Sequence, residues 1–182
     1  QLGLYEHFKK VAEACKNLPV YLYNIPGRSV VRIESITMKK LSAINNIVGV
    51  KDATADLTTP LDVRNSCGKE FQQLSGEDAT FLAFLISGGD GCISVTANVV
   101  PNICSKIYEL WRLRKIDEAM NLNFKIYELN NILFAETSPS PVKYALSRMK
   151  KCQNILRLPL VSIEKTTKNK IDKVLKGLRL IK

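Results

Sequence analysis

Segments with the composition of β-strands alternate with segments of helical periodicity over the first hundred residues, and this alternation restricts the fold most strongly. The strand-like segments are short and apolar or β-branched, and they are predicted at 20–24, 47–51, 71–75 and 91–96. The helix-like segments are predicted at 4–16, 35–44, 58–65 and 79–86. This order is typical of a parallel sheet whose strands are joined by crossover helices.

The pattern changes after Pro101, where only helical periodicity continues. It predicts a helix over 103–111, a second over 116–134, a third that starts within 138–141 and a last one over 165–178. We therefore expect two domains, an α/β domain at 1–100 and a helical domain at 101–182.

The composition is that of an ordinary soluble globular protein, with 46% hydrophobic and 24% charged residues. The 27 lysines and arginines outnumber the 17 acidic residues and give a net charge of +10, which by itself suggests nucleic-acid binding. The lysines are nevertheless dispersed in pairs along polar helix faces, without an aromatic-rich RNA-binding motif or a helix-turn-helix pattern. We therefore expect a solvated basic surface and no nucleic-acid partner, with at most weak, salt-sensitive binding to polyanions.

The cysteines and the single histidine argue against several kinds of site. The five cysteines are widely spaced and include no CxxC pair, so neither a zinc site nor a disulfide framework is expected, and reduced thiols in a cytoplasm fit best. His7 lies in a helical pattern beside Phe8, where a structural role is more common than a catalytic one. No apolar run reaches the length needed to span a membrane, and no signal peptide is visible.

Lys51 and Tyr23 stand at the ends of two consecutive predicted strands. In parallel α/β barrels, residues at the carboxyl ends of the strands face the active site. A lysine there that is backed by apolar walls is poorly solvated, and its neutral amine can attack a carbonyl group. A phenol beside such an amine can relay protons. Taken alone, an ordinary solvated lysine and a core tyrosine are the simpler interpretations.

Three further positions are candidates for substrate binding. Arg28 follows a turn at Pro26-Gly27 that could present its guanidinium to a carboxylate as a bidentate clamp. Gly76 could be a turn or a place where a ligand approaches the backbone, and Ile93 would line the mouth of the last strand. A surface arginine, an ordinary turn and a core isoleucine are the corresponding alternatives.

Five motifs occur together in a specific order along the chain. They are 21–29 (YLYNIPGRS), 46–54 (NIVGVKDAT), 74–78 (LSGED), 88–98 (GGDGCISVTAN) and 138–143 (SPSPVK). Together they closely resemble the C-terminal part of the dihydrodipicolinate synthases, a family of class I aldolase-type lyases, over essentially all 182 residues. The resemblance implies the C-terminal half of a TIM (β/α)8 barrel, with four parallel strands, followed by a C-terminal helical domain. A full barrel takes about 250 residues, so we expect a truncated chain.

The resemblance also implies the chemistry of the site. It matches Lys51 to the lysine that forms a Schiff base with pyruvate, Tyr23 to a proton-relaying tyrosine, and Arg28 to the arginine that binds the carboxylate of aspartate semialdehyde. It matches Gly76 and Ile93 to backbone positions that contact pyruvate. No metal or organic cofactor is implied, because the imine is the electron sink. The implied partners are the two substrates, copies of the same chain in a tetramer, and a complementary N-terminal half.

The sequence departs from the family pattern in ways that leave alternatives open. Val30 and Ala55 stand where the family commonly has glycine, and the paired threonines of the family's first half have no counterpart here. A lyase of lysine biosynthesis is the first hypothesis. The alternatives are a sister pyruvate aldolase, of the N-acetylneuraminate lyase or 2-keto-3-deoxy sugar acid aldolase type, and an inactive remnant or assembly module. The turn that ends at Arg28 favours a small dicarboxylate-forming partner over a sugar.

Overall fold

Four parallel strands form one sheet in the first of two compact units, Gln1–Ile93 and Ser94–Lys182, into which the chain divides. The computed structural model describes residues 1–182. The strands are β1 (Val20–Asn24), β2 (Ile47–Asp52), β3 (Gln72–Ser75) and β4 (Gly91–Cys92), and they pair in sequence order. The predicted parallel sheet with crossover connections is therefore confirmed.

Helices lie before and between these strands. They are α1 (Leu2–Ala14), α2 (Pro26–Ser29), α3 (Ser35–Ser42), α4 (Thr59–Cys67) and α5 (Phe81–Ile86). α2 is a single helical turn where the sequence predicts only a turn. α3 begins at Ser35, and Glu34 occupies the capping position.

One continuous apolar cluster joins the helices to the sheet. Its strand residues include Leu22, Ile47 and Val50, and its helix residues include Met38 and Leu41, all at most 3% exposed. Because apolar side chains on the strands and on one side of each helix leave water together, this cluster fixes which face of the sheet the helices cover.

The alternate residues of the strands belong to the other face of the sheet, because side chains alternate along a strand. Tyr21 in β1 pairs in register with Gly49 in β2, and Tyr23 pairs with Lys51. The Tyr21 hydroxyl donates a hydrogen bond to the side-chain carbonyl of Gln72 in β3. A polar, tyrosine-bearing face therefore carries the two side chains predicted to form the catalytic pair.

β4 is shorter than predicted. It ends at Cys92 and not at residue 96, and the next regular element is a 3-10 helix at Thr96–Asn98. The prediction that Ile93 lies within the last strand is therefore wrong. The N–H of Ile93 still donates to the carbonyl of Ser75 at 2.8 Å, so it continues the pairing of β3 and β4 by one hydrogen bond.

The second unit is built from helices alone. They are α6 (Pro101–Arg112), α7 (Ile116–Ile132), α8 (Ser140–Arg148) and α9 (Lys165–Gly177), close to the predicted ranges. Leu129 in α7 and Ile171 in α9 are fully buried. The division of the chain falls after Ile93, whereas the sequence predicts a boundary at residue 100. The identification of the units as a barrel half and a C-terminal domain stays a prediction.

The structure contains no membrane-spanning helix, no metal-binding cluster and no disulfide. No helix combines the length and the apolar character needed to cross a membrane. No three histidine, cysteine, aspartate or glutamate side chains come together as a metal site. No disulfide joins any of the cysteines.

Candidate functional site

Lys51 and Tyr23 lie side by side at the carboxyl ends of β2 and β1. They are register partners in the parallel pairing, and Nζ of Lys51 lies 4.3 Å from the centroid of the Tyr23 ring. Lys51 is half-buried and makes no ion pair. The Lys51 amine therefore lies over the face of an electron-rich ring, which attracts the ammonium form through a cation–π interaction. No carboxylate forms an ion pair with it. The structure brings the two side chains together, and their catalytic roles stay a prediction.

Gly76 follows β3 and lies against the side chain of Lys51. Its N–H donates to the carbonyl of Asp52 at 2.6 Å, which extends the pairing of β2 and β3 by one residue. A Cβ atom at Gly76 would lie 2.9 Å from Cε of Lys51 and 2.9 Å from Cβ of Ala53, closer than carbon atoms normally approach. Because Gly76 has no side chain, the side chain of Lys51 can occupy the space beside it.

Arg28 and Ile93 lie on the segments that follow β1 and β4. Arg28 belongs to α2, its side chain is exposed, and it makes no ion pair within the chain. Its guanidinium is thus available to an anionic ligand. Ile93 is 46% exposed, as expected for a residue that borders an open site. The structure therefore brings Lys51 against both Tyr23 and Gly76, and it places Arg28 and Ile93 on the segments that follow β1 and β4.

Asn24, which was not among the residues predicted to form the site, fixes the segment that carries Arg28. Its side chain is completely buried, accepts a hydrogen bond from the N–H of Ile33 at 3.0 Å and donates to the carbonyl of Ile33 at 3.3 Å. The carbonyl of Asn24 accepts the N–H of Ala53 at 2.9 Å. Asn24 therefore closes the loop that carries Arg28. The available signal was a polar side chain directly after Tyr23, at a position where strand alternation predicts burial.

Asp52 places a buried carboxyl group beside Lys51 in the sequence. Asp52 is 4% exposed, its Oδ1 accepts the N–H of Thr54 at 2.9 Å, and its Oδ2 makes no hydrogen bond. Burial raises the pKa of Asp52, and the hydrogen bonds from Thr54 and the charge of Arg32 oppose that change only in part. Because Asp52 and Lys51 point to opposite faces of the sheet, we expect Asp52 to affect the stability of the strand end.

The Asp52→Asn variant is expected to gain stability relative to the unmodified protein as the pH rises. A raised pKa in the folded state means that the proton on Asp52 stabilises the fold at low pH, and that this contribution is lost as the pH rises through the folded pKa. Asparagine does not ionise and keeps an acceptor for Thr54. Free energies of unfolding from denaturant titrations between about pH 4 and about pH 7 check this. Parallel pH profiles of the two proteins would contradict it.

Two exposed residues near the site have left-handed backbone conformations. Val30 ends α2 with φ 64°, and Ala55 follows the Lys51 strand with φ 59°. A left-handed conformation costs an L-residue about 1–2 kcal/mol and is most unusual for a β-branched one. The structure thus gives a physical reason why glycine would suit these two positions.

The Val30→Gly variant is expected to be more stable than the unmodified protein by about 1 kcal/mol. Relief of about 1–2 kcal/mol of strain exceeds the roughly 0.4–1 kcal/mol that extra freedom in the unfolded chain costs. Denaturant titration measures the difference. The control is Val31→Gly at the adjacent valine, which has no left-handed backbone and should lose about 0.5–1 kcal/mol. Equal effects of the two substitutions would rule out the strain.

Residues 1–178 of the chain match the model of the dihydrodipicolinate synthetase family. The 4-hydroxy-tetrahydrodipicolinate synthase of Gluconobacter oxydans is 48% identical over 181 residues, which cover 100% of this chain and 61% of that protein. The enzyme of the same name from Rhodospirillum centenum is 49% identical over 169 residues, which cover 93% of this chain and 58% of that protein.

Solved structures agree with these relatives. The chloride-inhibited dihydrodipicolinate synthase of Acinetobacter baumannii, complexed with pyruvate, superposes with a TM-score of 0.93 at 38% sequence identity. The match covers 98% of this chain and 61% of that one. The chain therefore spans about three fifths of the length of the curated relatives it matches.

Proposed function

Since the chain belongs to the dihydrodipicolinate synthetase family, we propose that it carries the Schiff-base site of a lyase that condenses pyruvate with aspartate semialdehyde on the diaminopimelate route to lysine. In this proposal Lys51 forms the imine and Tyr23 relays protons. Arg28 binds the carboxylate of aspartate semialdehyde, and the backbone at Gly76 and Ile93 contacts pyruvate.

The reaction begins at the Lys51 amine, which attacks the carbonyl carbon of pyruvate, and loss of water leaves an imine. Loss of a proton from the pyruvate methyl group gives an enamine. Its carbon attacks the aldehyde of the second substrate, which forms the new carbon–carbon bond, and the aldehyde oxygen takes up a proton. The amino group of that substrate then displaces Lys51 from the imine carbon and closes the ring. The proposal needs no metal or organic cofactor, because the imine accepts the electron pair.

The position of the Lys51 amine, 4.3 Å from the centroid of the Tyr23 ring, is the observation that carries the proposal. Imine and enamine formation both require proton transfers near the lysine nitrogen, and a phenol held beside that nitrogen can relay them. Tyr23 and Lys51 are register partners in the parallel pairing of β1 and β2, so both side chains lie at the carboxyl end of the sheet. Barrel enzymes hold their reacting groups at this end.

The relatives favour this activity over the sister aldolases. Both curated relatives described above are named 4-hydroxy-tetrahydrodipicolinate synthase, and the Acinetobacter structure is a complex with pyruvate. The exposed guanidinium of Arg28 suits the carboxylate of aspartate semialdehyde. A competition between aspartate semialdehyde and N-acetylmannosamine for the enamine separates the two activities.

Trapping with borohydride tests the imine directly. The purified chain is incubated with pyruvate and borohydride, and the modified residue is located by mass spectrometry of peptides. We expect a reduced pyruvate adduct on Lys51 that is absent from the Lys51→Ala variant. Lys69, which is exposed and lies outside the site, gives the matched control Lys69→Ala, in which the adduct should persist. No adduct in a chain shown to be folded by circular dichroism would contradict the proposal and favour the inactive alternative.

The proposal also includes partners for the sheet. β1 and β4 are the outer strands of the four-stranded sheet, and a closed barrel requires each outer strand to be paired. A complementary N-terminal half with four further strands would pair both of them. The second unit is the C-terminal helical domain in this proposal, and copies of the chain form the family's tetramer. Native mass spectrometry of the chain, alone and mixed with the first half of a relative, tests both associations.

A further inference from the structure

A charged bridge joins the segment that follows β1 to the segment that follows β2. Nη1 of Arg32 lies 3.1 Å from Oδ2 of Asp56, and Nη2 of Arg32 donates to the hydroxyl of Thr59 at 2.6 Å. Arg32 belongs to the loop after β1, which also carries Arg28, whereas Asp56 and Thr59 follow β2, which carries Lys51. The bridge therefore ties the Arg28 segment to the segment that leaves the lysine strand.

The acidic end of the bridge is itself held in place. Oδ1 of Asp56 accepts the N–H of Thr58 at 3.0 Å and the hydroxyl of Thr58 at 2.6 Å. Thr59 is 1% exposed, so its hydroxyl is a fixed acceptor at the start of α4. The carboxylate and the hydroxyl thus offer the Arg32 fork two oxygens whose positions the fold determines.

The basic end is tied at few other points. Gln1 donates a side-chain hydrogen bond to the carbonyl of Arg32 at 2.8 Å, and the adjacent Ile33 is bound by Asn24. The Ser29 hydroxyl bonds only to carbonyls within the loop. The side chain of Arg32 therefore links this loop, through Asp56 and Thr59, to the segment that follows Lys51.

We propose that Arg32 is a positioning residue, which holds Arg28 at the separation from Lys51 that the second substrate must span and thereby sets the affinity for aspartate semialdehyde. This inference rests on the proposed function, because it assigns a substrate to Arg28. The same bridge would leave pyruvate binding at Lys51 largely unchanged, since pyruvate does not reach Arg28 in the proposal.

A role in positioning fits the exposure of the pair better than a role in stability. The side chains of Arg32 and Asp56 are 41% and 35% exposed, and ion pairs that water screens to this degree contribute little to folding. Misplacement of a substrate-binding group by about 1 Å can slow a reaction up to about a hundredfold. The larger expected effect of breaking the bridge is therefore on the second substrate.

A charge exchange tests the bridge. The Arg32→Asp variant places two carboxylates opposite each other, the Asp56→Arg variant places two guanidiniums there, and the double variant restores attraction. Lys10 and Glu13 form an exposed pair at 2.9 Å on α1, and exchange of their charges is the matched control. The Arg32→Lys variant keeps the positive charge but loses the two-pronged guanidinium that contacts both Asp56 and Thr59. It replaces the charge-reversed single variants if those do not fold.

Three measurements are made on each variant. Hydrogen exchange measured by mass spectrometry reports the mobility of residues 25–34 and 53–59. Steady-state kinetics give KM and kcat for aspartate semialdehyde. Borohydride trapping gives the rate at which the pyruvate adduct forms on Lys51. We expect the single variants to exchange faster in both segments and to show KM for aspartate semialdehyde raised about tenfold, as for a weakened charge-assisted contact. The adduct rate should stay within about twofold, because Lys51 is not displaced. The double variant should recover part of the loss, because it restores the ion pair but not the hydrogen bonds between Asp56 and Thr58.

Each pattern of results decides the inference. Rescue by the double variant, with an unaffected control pair, supports it. Unchanged exchange in both segments, an equal rise of KM in the control, or a double variant as impaired as the singles overturns it. Absence of the adduct from the unmodified chain refutes the proposed function instead, and the exchange rates then still decide whether the bridge holds the two segments together.

Discussion

Replacement of Gly76 by alanine is expected to slow formation of the pyruvate adduct on Lys51 about a hundredfold, in line with the effect of a misplaced reacting group. The new methyl group would lie 2.9 Å from Cε of Lys51 and 2.9 Å from Cβ of Ala53. The lysine side chain is the flexible partner and must move, which takes its amine away from the Tyr23 ring. The adduct rate is measured by borohydride quenching at a series of times.

A matched control separates displacement of the lysine from a general disturbance of the sheet. Gly91→Ala adds a methyl group to the neighbouring strand, where the only close atom is Cδ2 of Leu74 at 3.1 Å, and should leave the adduct rate nearly unchanged. The double variant Gly76→Ala/Ala53→Gly removes one of the two close contacts and keeps the one with Lys51. It should remain slow. Normal rates in Gly76→Ala would show that the lysine has another route to pyruvate.

Strand order and the pairing of Lys51 with Tyr23 could be predicted from sequence because both depend on local patterns. The β-branched run before Lys51 and the apolar run before Tyr23 each identify a strand and its end. Parallel strands joined by crossover helices then bring the two ends together, and the structure pairs these residues in register.

The contacts around that pair could not be predicted, because they join residues far apart in the sequence. Arg32 and Asp56 are 24 residues apart, and neither belongs to a recognisable motif. The predicted length of β4 was wrong for a related reason. The β-branched residues that follow Cys92 have a strand's composition, but β4 itself ends at Cys92, and composition does not report where the pairing of two strands ends.

Gly49 shows the same limit, since its neighbours come from two other strands. It reads as an ordinary residue of an apolar strand, yet a Cβ atom there would overlap the backbone carbonyl of Gln72 and lie 2.7 Å from Cε1 of Tyr21. The Tyr21 hydroxyl bonds to the Gln72 side chain across this position. Glycine at 49 is therefore required by the approach of a ring and a neighbouring strand, and not by backbone conformation.

The Gly49→Ala variant is accordingly expected to lower the free energy of unfolding by about 3 kcal/mol, at the upper end of the usual effect of overpacking. A backbone carbonyl cannot move without breaking the pairing of β2 and β3, so relaxation around the new methyl group is limited. Denaturant titration followed by circular dichroism measures the loss. Gly3→Ala is the control, because Gly3 lies in α1 with no neighbouring atom within 4 Å and should gain up to about 1 kcal/mol.

The double variant Gly49→Ala/Tyr21→Ser identifies which neighbour causes the loss. Serine removes the ring that approaches position 49 but leaves the Gln72 carbonyl in place. If the carbonyl dominates, as its position in the backbone of β3 implies, the double variant stays at least as unstable as Gly49→Ala alone. Recovery of stability in the double variant would instead assign the loss to the ring, which would mean that Tyr21 and not the strand spacing excludes a side chain at this position.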